Sequence, residues 1–344
     1  MSDRAALVLA TATLLVVLVA YVVVYPHANT HDPTAGSDRD DAADLGARAL
    51  LHGRFPYNGR TYLGNPISQF PGALLLAAPF VAMGHSAHAS FFWLPVLLLL
   101  LRRLAGDWRT PLLLTWAALL LSPTFVREVV TGGDLVANTV SVMLASWLVL
   151  VGFSTRRPWA AGLGAVLLGV ALSSRLNFLF VLPPLTAAVW RRHGVRAALS
   201  AGALAVAAFA AVTLPFYLGH ESEFTPIGAS DKLVGFNGEI PGGARAVIAV
   251  GLCLSIVLAL LAASSAESVF AQTAAVQAFF VVAVVALASV NGRTLDLAPL
   301  VPGYGLPVLL FALGALPVAA ARPARRHYAR LDVPPTWEAA EGSG

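Results

Sequence analysis

Cysteine and charge are both scarce in this chain of 344 residues. Cys253 is the only cysteine, which excludes an intramolecular disulfide and a metal site built from cysteines. Charged residues make up 12% of the sequence and hydrophobic residues 58%, whereas soluble domains are about 25% charged and about 45–50% apolar. So little charge, distributed between long apolar runs, is typical of a polytopic membrane protein.

The usual motifs of nucleotide and hydrolase chemistry are absent as well. The sequence contains no Walker A motif, no GxGxxG after a predicted strand, no HExxH and no GxSxG. These absences exclude nucleotide-driven pumping within this chain and familiar hydrolase mechanisms, but they leave transport open. The formal charge of +4 comes mostly from arginines between apolar runs, so we interpret it as an orientation signal and expect no nucleic-acid partner.

The apolar runs predict an all-α fold, a bundle of about 10–11 membrane segments in one domain over residues 1–320. The run at 5–25 is longer than a signal-peptide core and lacks its cleavage site, so we predict an uncleaved span. The tail 321–344 is predicted to be disordered. The candidate spans are roughly 5–25, 88–101, 110–126, 134–153, 158–174, 175–190, 197–218, 243–264, 267–290 and 303–320.

Arginines occur in alternate loops, and this pattern predicts orientation. Basic loops stay in the cytoplasm, so we expect an inner (plasma) membrane protein with both termini cytoplasmic and acidic loops outside. The segment 71–84 has two prolines and is too short for a comfortable span, which favours a re-entrant or half-crossing element. The basic loops contain Arg102, Arg103, Arg109, Arg156, Arg157, Arg191, Arg192 and Arg196, and the acidic loops contain Glu128, Asp134, Glu221, Glu223, Asp231, Glu239 and Asp296.

The outer loop 26–70 gathers four carboxylates, at Asp38, Asp40, Asp41 and Asp44. A carboxylate at the centre of a membrane helix costs about 2.5–3.5 kcal/mol, so we expect these acids in an aqueous loop. The stretch DDAADLGARALL predicts a short juxtamembrane helix that ends at Gly53. Two interpretations stay open: the acids cap this helix and keep the loop hydrated, or one of them is a general base facing a lipid-linked substrate.

Several motifs follow one another with consistent sidedness. One span precedes an acidic pair, A.ALL.G..PY and QFPGALLLAAPF, and later come LLLSPTFVREVVTGGDLVANTV, LGVALSSRLNFLFVLPPLTAAVWRR and APLVPGYGLPVLLFALGAL. This order resembles GT-C type glycosyltransferases, the polytopic mannosyltransferase-like enzymes that use polyprenyl-phosphate-linked sugars. Phe70-Pro71-Gly72 stands where Tyr-Pro-Pro is usual, and the Arg expected beside Tyr304 is missing, with Arg293 as a candidate substitute.

The resemblance implies an inverting sugar transfer from a polyprenyl-phosphate carrier to an acceptor hydroxyl at the outer face. Asp40 or Asp41 would deprotonate the acceptor, and Arg175 would bind the donor phosphate through its planar guanidinium. Membrane lipid and the lipid-linked donor are the expected partners. No cofactor is implied, apart from a divalent cation on which family members differ. The further substrate-binding candidates are Asp44, Tyr57, Arg127, Asp134 and Tyr304.

For several of these residues a structural interpretation stays open, and so do other functions for the chain. Arg175 could be an interfacial anchor, and Arg127, Glu128 and Asp134 could form surface ion pairs. The loop 219–243 is either a lid or a connector. A transporter or flippase without covalent chemistry, and a catalytically silent assembly protein, are the competing functions. We interpret as surface residues, and not as metal ligands, the histidines His27, His31, His52, His85 and His88.

Overall fold

The computed structural model describes residues 1–31, 38–229, 241–262, 265–292, 297 and 303–316, and this part of the chain is helical without a β-strand. The predicted all-α bundle is confirmed. Arg293, residues 230–240 of the loop 219–243 and the tail 321–344 lie outside the described residues. The helices are α1 (Asp3–Ala28), α2 (Arg39–Leu51), α3 (Pro71–Ala82), α4 (Ala89–Ala105), α5 (Arg109–Leu121), α6 (Pro123–Val130), α7 (Leu135–Ser154), α8 (Pro158–Leu172), α9 (Leu182–His193), α10 (Val195–Tyr217), α11 (Thr225–Ala229), α12 (Gly243–Ala262), α13 (Ala266–Gly292) and α14 (Leu306–Leu316).

Six of the described helices are long and apolar enough to cross a membrane: α1, α4 with the turn before it, α7, α10, α12 and α13. The pair α5 and α6 passes the same test together but bends by 95° between its halves. Shorter apolar helices are α3, α8 and α14. This composition is compatible with a multi-pass membrane protein, and the count of 10–11 segments stays a prediction.

The bend lies inside the predicted span 110–126, which is therefore not one straight helix. Proline has no N–H to donate and disfavours the helical conformation of the residue before it, so α5 ends ahead of Pro123. The Ser122 hydroxyl oxygen then accepts a hydrogen bond from the Phe125 N–H at 3.2 Å and caps α6. As a result α6 turns its buried face, which includes Glu128, towards the start of α7.

The two ends of the bundle differ in charge. The Trp108 N–H donates to Asp3 at 2.9 Å, so the start of α1 meets the turn between α4 and α5. His193 stacks on Phe153 with ring centroids 5.6 Å apart, so the end of α9 meets the turn after α7. We call this the basic end, because these turns contain the arginines of the basic loops. The opposite end, where α1 finishes and α7 begins, is the acidic end.

Helix α3 starts and finishes at the acidic end. The Gly72 N–H donates to the Ser173 carbonyl at 3.0 Å, and His85, just after α3, lies 2.9 Å from the Tyr25 hydroxyl. Both partners belong to the acidic end, so α3 does not traverse the bundle, in agreement with a re-entrant or half-crossing element. The contact with α8 requires glycine, since a Cβ on Gly72 would lie 2.1 Å from the Val170 carbonyl oxygen.

Helix α7 is the most buried of the long helices, and α8 packs closely against it. A Cβ on Gly152 would lie 2.3 Å from the Ala161 nitrogen, and one on Gly164 would lie 2.7 Å from the Val149 nitrogen. Small residues at such contacts are typical of membrane helices. Because the two helices are antiparallel, this packing places the residue before α7, Asp134, at the same end as the residues that follow α8.

Candidate functional site

One face of α2 combines two acids with small residues. Asp40, Ala43, Asp44 and Ala47 follow the helical spacing i, i+3, i+4, i+7. Their alanines pack against α3, and each of the two acids is only 3% exposed. The expectation of a hydrated loop is therefore wrong for Asp40 and Asp44. Protein encloses both, and hydrogen-bond donors of the protein replace the water that they lose.

The Asp40 carboxylate accepts a hydrogen bond from the Tyr25 hydroxyl at 2.8 Å. Burial raises the pKa of Asp40 above its usual range, and the hydrogen bonds from Tyr25 and from the N–H groups of Asp40 and Asp41 lower it by less. A carboxylate with a raised pKa binds a proton more readily than a hydrated one does. Among the four acids of the loop, Asp40 is thus the best suited to act as a general base.

Asp41 belongs to a different contact, although it neighbours Asp40. Its carboxylate accepts from the Tyr62 N–H at 2.9 Å. Asp38 is used in a similar way, because it accepts from the Thr61 hydroxyl at 2.6 Å and from the Asn65 amide at 2.8 Å. Both acids fasten the loop after α2 to the start of that helix. The structure therefore separates the two residues of the acidic pair.

Asp44 is surrounded by donors. One oxygen accepts from the Ser86 N–H at 2.7 Å, and the other lies 2.9 Å from His85 Nδ1 and 3.2 Å from Arg48 Nη2. These contacts tie α2 to the turn before α4. His85 also meets the Tyr25 hydroxyl at 2.9 Å. Sequence reasoning missed both Tyr25 and His85 because neither lies in a recognisable motif.

Tyr57, a predicted substrate-binding residue, lies in a small aromatic core. Its ring is buried and contacts Phe55 and Phe224, with centroids 5.5 Å and 5.0 Å away. Its hydroxyl donates to the Gln69 carbonyl at 3.2 Å. These contacts indicate a structural role for Tyr57 in holding the loop after α2.

Asp134 and Arg175 form an ion pair where α7 begins and α8 has ended. Arg175 Nη2 lies 2.9 Å from each carboxylate oxygen, and the Asn138 amide donates to the same group at 2.9 Å. Burial raises the pKa of Asp134, but the guanidiniums of Arg175 and Arg39 lower it by more, so that it falls below its usual range. Asp134 is therefore ionised at neutral pH.

A second ion pair lies beside the first. Glu128 accepts from the Leu135 N–H at 2.7 Å, at the start of α7, and its other oxygen lies 3.4 Å from Arg39 Nη1. The Arg39 guanidinium carbon lies 5.9 Å from the centre of the Tyr304 ring. Arg39 directly precedes Asp40, so its ion pair joins the start of α2 to Glu128. It was missed from the sequence because it lies among acids and looks like their surface partner.

Arg127 is not brought into this group. Its side chain is exposed and takes part in none of the ion pairs of the described residues. Its neighbour Glu128 takes the inward position, because successive residues of a helix point in directions about 100° apart. The predicted role of Arg127 in substrate binding therefore lacks a contact with the other candidates.

The α2 face and the Asp134–Arg175 pair meet at a cavity of about 20 Å³ between α2, α3 and the turn before α7. Ala43, Ser86, Gln69 and Asp134 contribute to its lining. Gln69 is buried, and within the part of the chain that the structure describes its side-chain oxygen has no hydrogen-bond partner. The space suits a water molecule, so a sugar would enter only after side chains move.

Among the described residues, no group of three or more His, Cys, Asp and Glu is arranged to hold a metal ion, and the divalent cation stays a prediction.

No protein-family model, curated protein or solved structure matches this chain.

Proposed function

We propose that this chain is a membrane-embedded glycosyltransferase of the GT-C type, which transfers a sugar from a polyprenyl-phosphate carrier to an acceptor hydroxyl. The proposal places the acidic end at the outer face of the plasma membrane and the arginine-rich turns in the cytoplasm. One observation carries it. A buried acid with a raised pKa, Asp40, lies on the face of α2 whose Ala43 lines a cavity, and the cationic Arg175 pairs with Asp134, which lines the same cavity.

In the proposed reaction, Asp40 and the two arginines have separate tasks. Asp40 takes the proton of the acceptor hydroxyl, and the acceptor oxygen attacks the anomeric carbon from the side opposite the carrier phosphate. The bond between the anomeric carbon and the phosphate oxygen breaks, its electron pair leaves with the phosphate, and the configuration inverts. Arg175 and Arg39 stabilise the charge that develops on the phosphate.

Arg175 can bind a phosphate while it keeps Asp134. Both hydrogen bonds to Asp134 come from Nη2, and a guanidinium has five N–H groups. The buried Nε of Arg175 has no partner within the part of the chain that the structure describes. The carboxylate thus orients the guanidinium, and its Nε–H is a donor that an anion could use.

The test uses a strain from which this gene is deleted, with the glycan linkages of its cell envelope compared with those of the parent. Restoring the wild-type gene should restore a lost linkage, and Asp40→Asn should lower its rate of formation by about 100-fold or more. Asp41→Asn is the matched control, because an amide oxygen can still accept from the Tyr62 N–H. Transfer retained by Asp40→Asn, or flux of a lipid or solute without any new linkage, would contradict the proposal.

A further inference from the structure

A chain of hydrogen bonds leads from Asp40 towards the surface. The Tyr25 hydroxyl lies 2.8 Å from Asp40 Oδ2 and 2.9 Å from His85 Nδ1. Asp40 itself is 3% exposed, whereas the His85 side chain is 32% exposed. An enclosed carboxylate is in this way connected, through one hydroxyl, to an imidazole that water can reach.

A carboxylate lies beside the imidazole of His85. Asp44 Oδ2 lies 2.9 Å from the same ring nitrogen that meets Tyr25, and a neighbouring carboxylate stabilises an imidazolium. The Asn29 amide donates to the Tyr25 hydroxyl at 3.0 Å and helps to fix its position. The other titratable groups that face this chain are Tyr21, which stacks on Tyr25, Arg48, which pairs with Asp44, and His88, whose ring centroid is 6.5 Å from that of His85.

We propose that Tyr25 and His85 form a relay that carries the proton taken up by Asp40 to the solvent. The inference rests on the proposed function, since it gives Asp40 a proton to release in every reaction cycle. The acceptor proton first reaches Asp40. Asp40 then passes a proton to the Tyr25 oxygen while the Tyr25 proton moves to Nδ1 of a neutral His85, whose ring proton is on the other nitrogen, Nε2.

The relay ends at the imidazole. His85 becomes an imidazolium held by Asp44, and it loses a proton to water from its exposed side. Proton exchange with water then restores the original tautomer. The net result is that one proton moves from the acceptor hydroxyl to the solvent, and Asp40 returns to its charged form without direct contact with water.

A purely structural role for His85 predicts something different. If the ion pair with Asp44 only fastened α2 to the turn before α4, removing the ring would lower stability, and a small base in solution would not restore the rate. Chemical rescue by imidazole therefore separates the two roles. His88 is the matched control, because it is a histidine of the same turn at the edge of this chain of bonds.

The experiment measures the rate of formation of the restored linkage in membranes of the deletion strain that express each variant. His85→Ala should slow transfer by about tenfold or more at neutral pH, and added imidazole should recover most of the rate. The pH profile of the rate should also differ between His85→Ala and the wild type. His88→Ala should keep the wild-type rate and its pH profile, with or without imidazole.

Tyr25→Phe is the second variant, and it keeps the ring contacts with Tyr21 and His85. It should be slow and should not respond to imidazole, because Asp40 is enclosed. Wild-type rates in Tyr25→Phe, or a slow His85→Ala that imidazole does not accelerate, would overturn the relay while an inactive Asp40→Asn still supports the proposed function. An active Asp40→Asn would instead refute the proposed base itself.

Discussion

Removing Arg175 alone should destabilise the protein far more than removing it together with its partner. Arg175→Leu leaves the Asp134 carboxylate enclosed, where the Asn138 amide still donates to it. Deleting one member of a buried pair costs about 3–5 kcal/mol of unfolding free energy, and the two side chains are only 25% and 13% exposed. Adding Asp134→Asn removes the uncompensated charge, so the double variant should recover about 1–3 kcal/mol of that loss.

Unfolding of purified protein in mixed micelles by increasing SDS measures these free energies, with the wild type, both single variants and the double variant completing the cycle. Arg48→Ala is the control, because its pair with Asp44 is half exposed on the arginine side and is expected to contribute less than about 1 kcal/mol. A coupling energy near zero, or a double variant as unstable as the sum of the singles, would refute a buried Asp134–Arg175 pair. Sugar transfer should stay impaired in the double variant, because removing the unpaired charge of Asp134 does not replace the guanidinium that would bind the phosphate.

Three further outcomes are expected. Asp40→Asn should raise the stability at neutral pH, because burial raises the pKa of Asp40 and so penalises its charged form in the folded state. Thermal unfolding at several pH values measures this gain. The gain should disappear below about pH 4, where Asp40 is protonated in both the folded and the unfolded state. Gly72→Ala should lower the free energy of unfolding by about 1–3 kcal/mol, because the added methyl group overpacks α3 against α8. In the control Gly162→Ala, the nearest neighbour of the new methyl group would be 3.9 Å away, so this variant should be neutral or slightly stabilising. A tolerated Gly72→Ala would contradict the close contact. Tyr57→Phe should lose about 1 kcal/mol with its buried hydrogen bond and keep its transfer rate, and a loss of transfer in a stable variant would return Tyr57 to the substrate site.

Local patterns in the sequence were sufficient for much of the helical framework. The helix after the first span ends before Gly53, whose positive φ of 65° suits glycine. The Pro-containing segment 71–84 indicated an element that does not cross. The break before Pro123 could also have been predicted from the restriction that proline places on Ser122, but the apolar run continued through it and favoured a single span.

The burial of Asp40 and Asp44 could not be predicted from local patterns in the same way. Asp40 and Asp44 share their spacing with Ala43 and Ala47, yet a face of acids and alanines fits a hydrated helix as well as a buried one. Its burial depends on α3, which supplies the apolar partner from a distant position. A hydropathy pattern contains no information about which two helices meet.

The sequence was also insufficient to decide which charged side chain of α6 faces the other candidate residues. Arg127 and Glu128 are adjacent, and only the rotation of α6, which is fixed by tertiary packing, decides that the glutamate faces the other candidates. The meeting of Asp134 with Arg175 was easier to anticipate, because the start of one helix and the end of the next lie together when two consecutive helices are antiparallel. His85 had no such signal, since its importance rests on Tyr25 and Asp44 from two other elements.

The absence of a side chain at Gly46 has a practical consequence. A methyl group there would lie 2.7 Å from Leu74 Cδ2 on α3, so α2 would have to rise or Leu74 would have to turn aside. Rising would lift Asp40, six residues earlier on the same helix, towards water and bring its raised pKa back towards the usual range. The reactivity of this protein could thus be graded from a position remote from any reactant, by exchanging residue 46 for side chains of increasing volume.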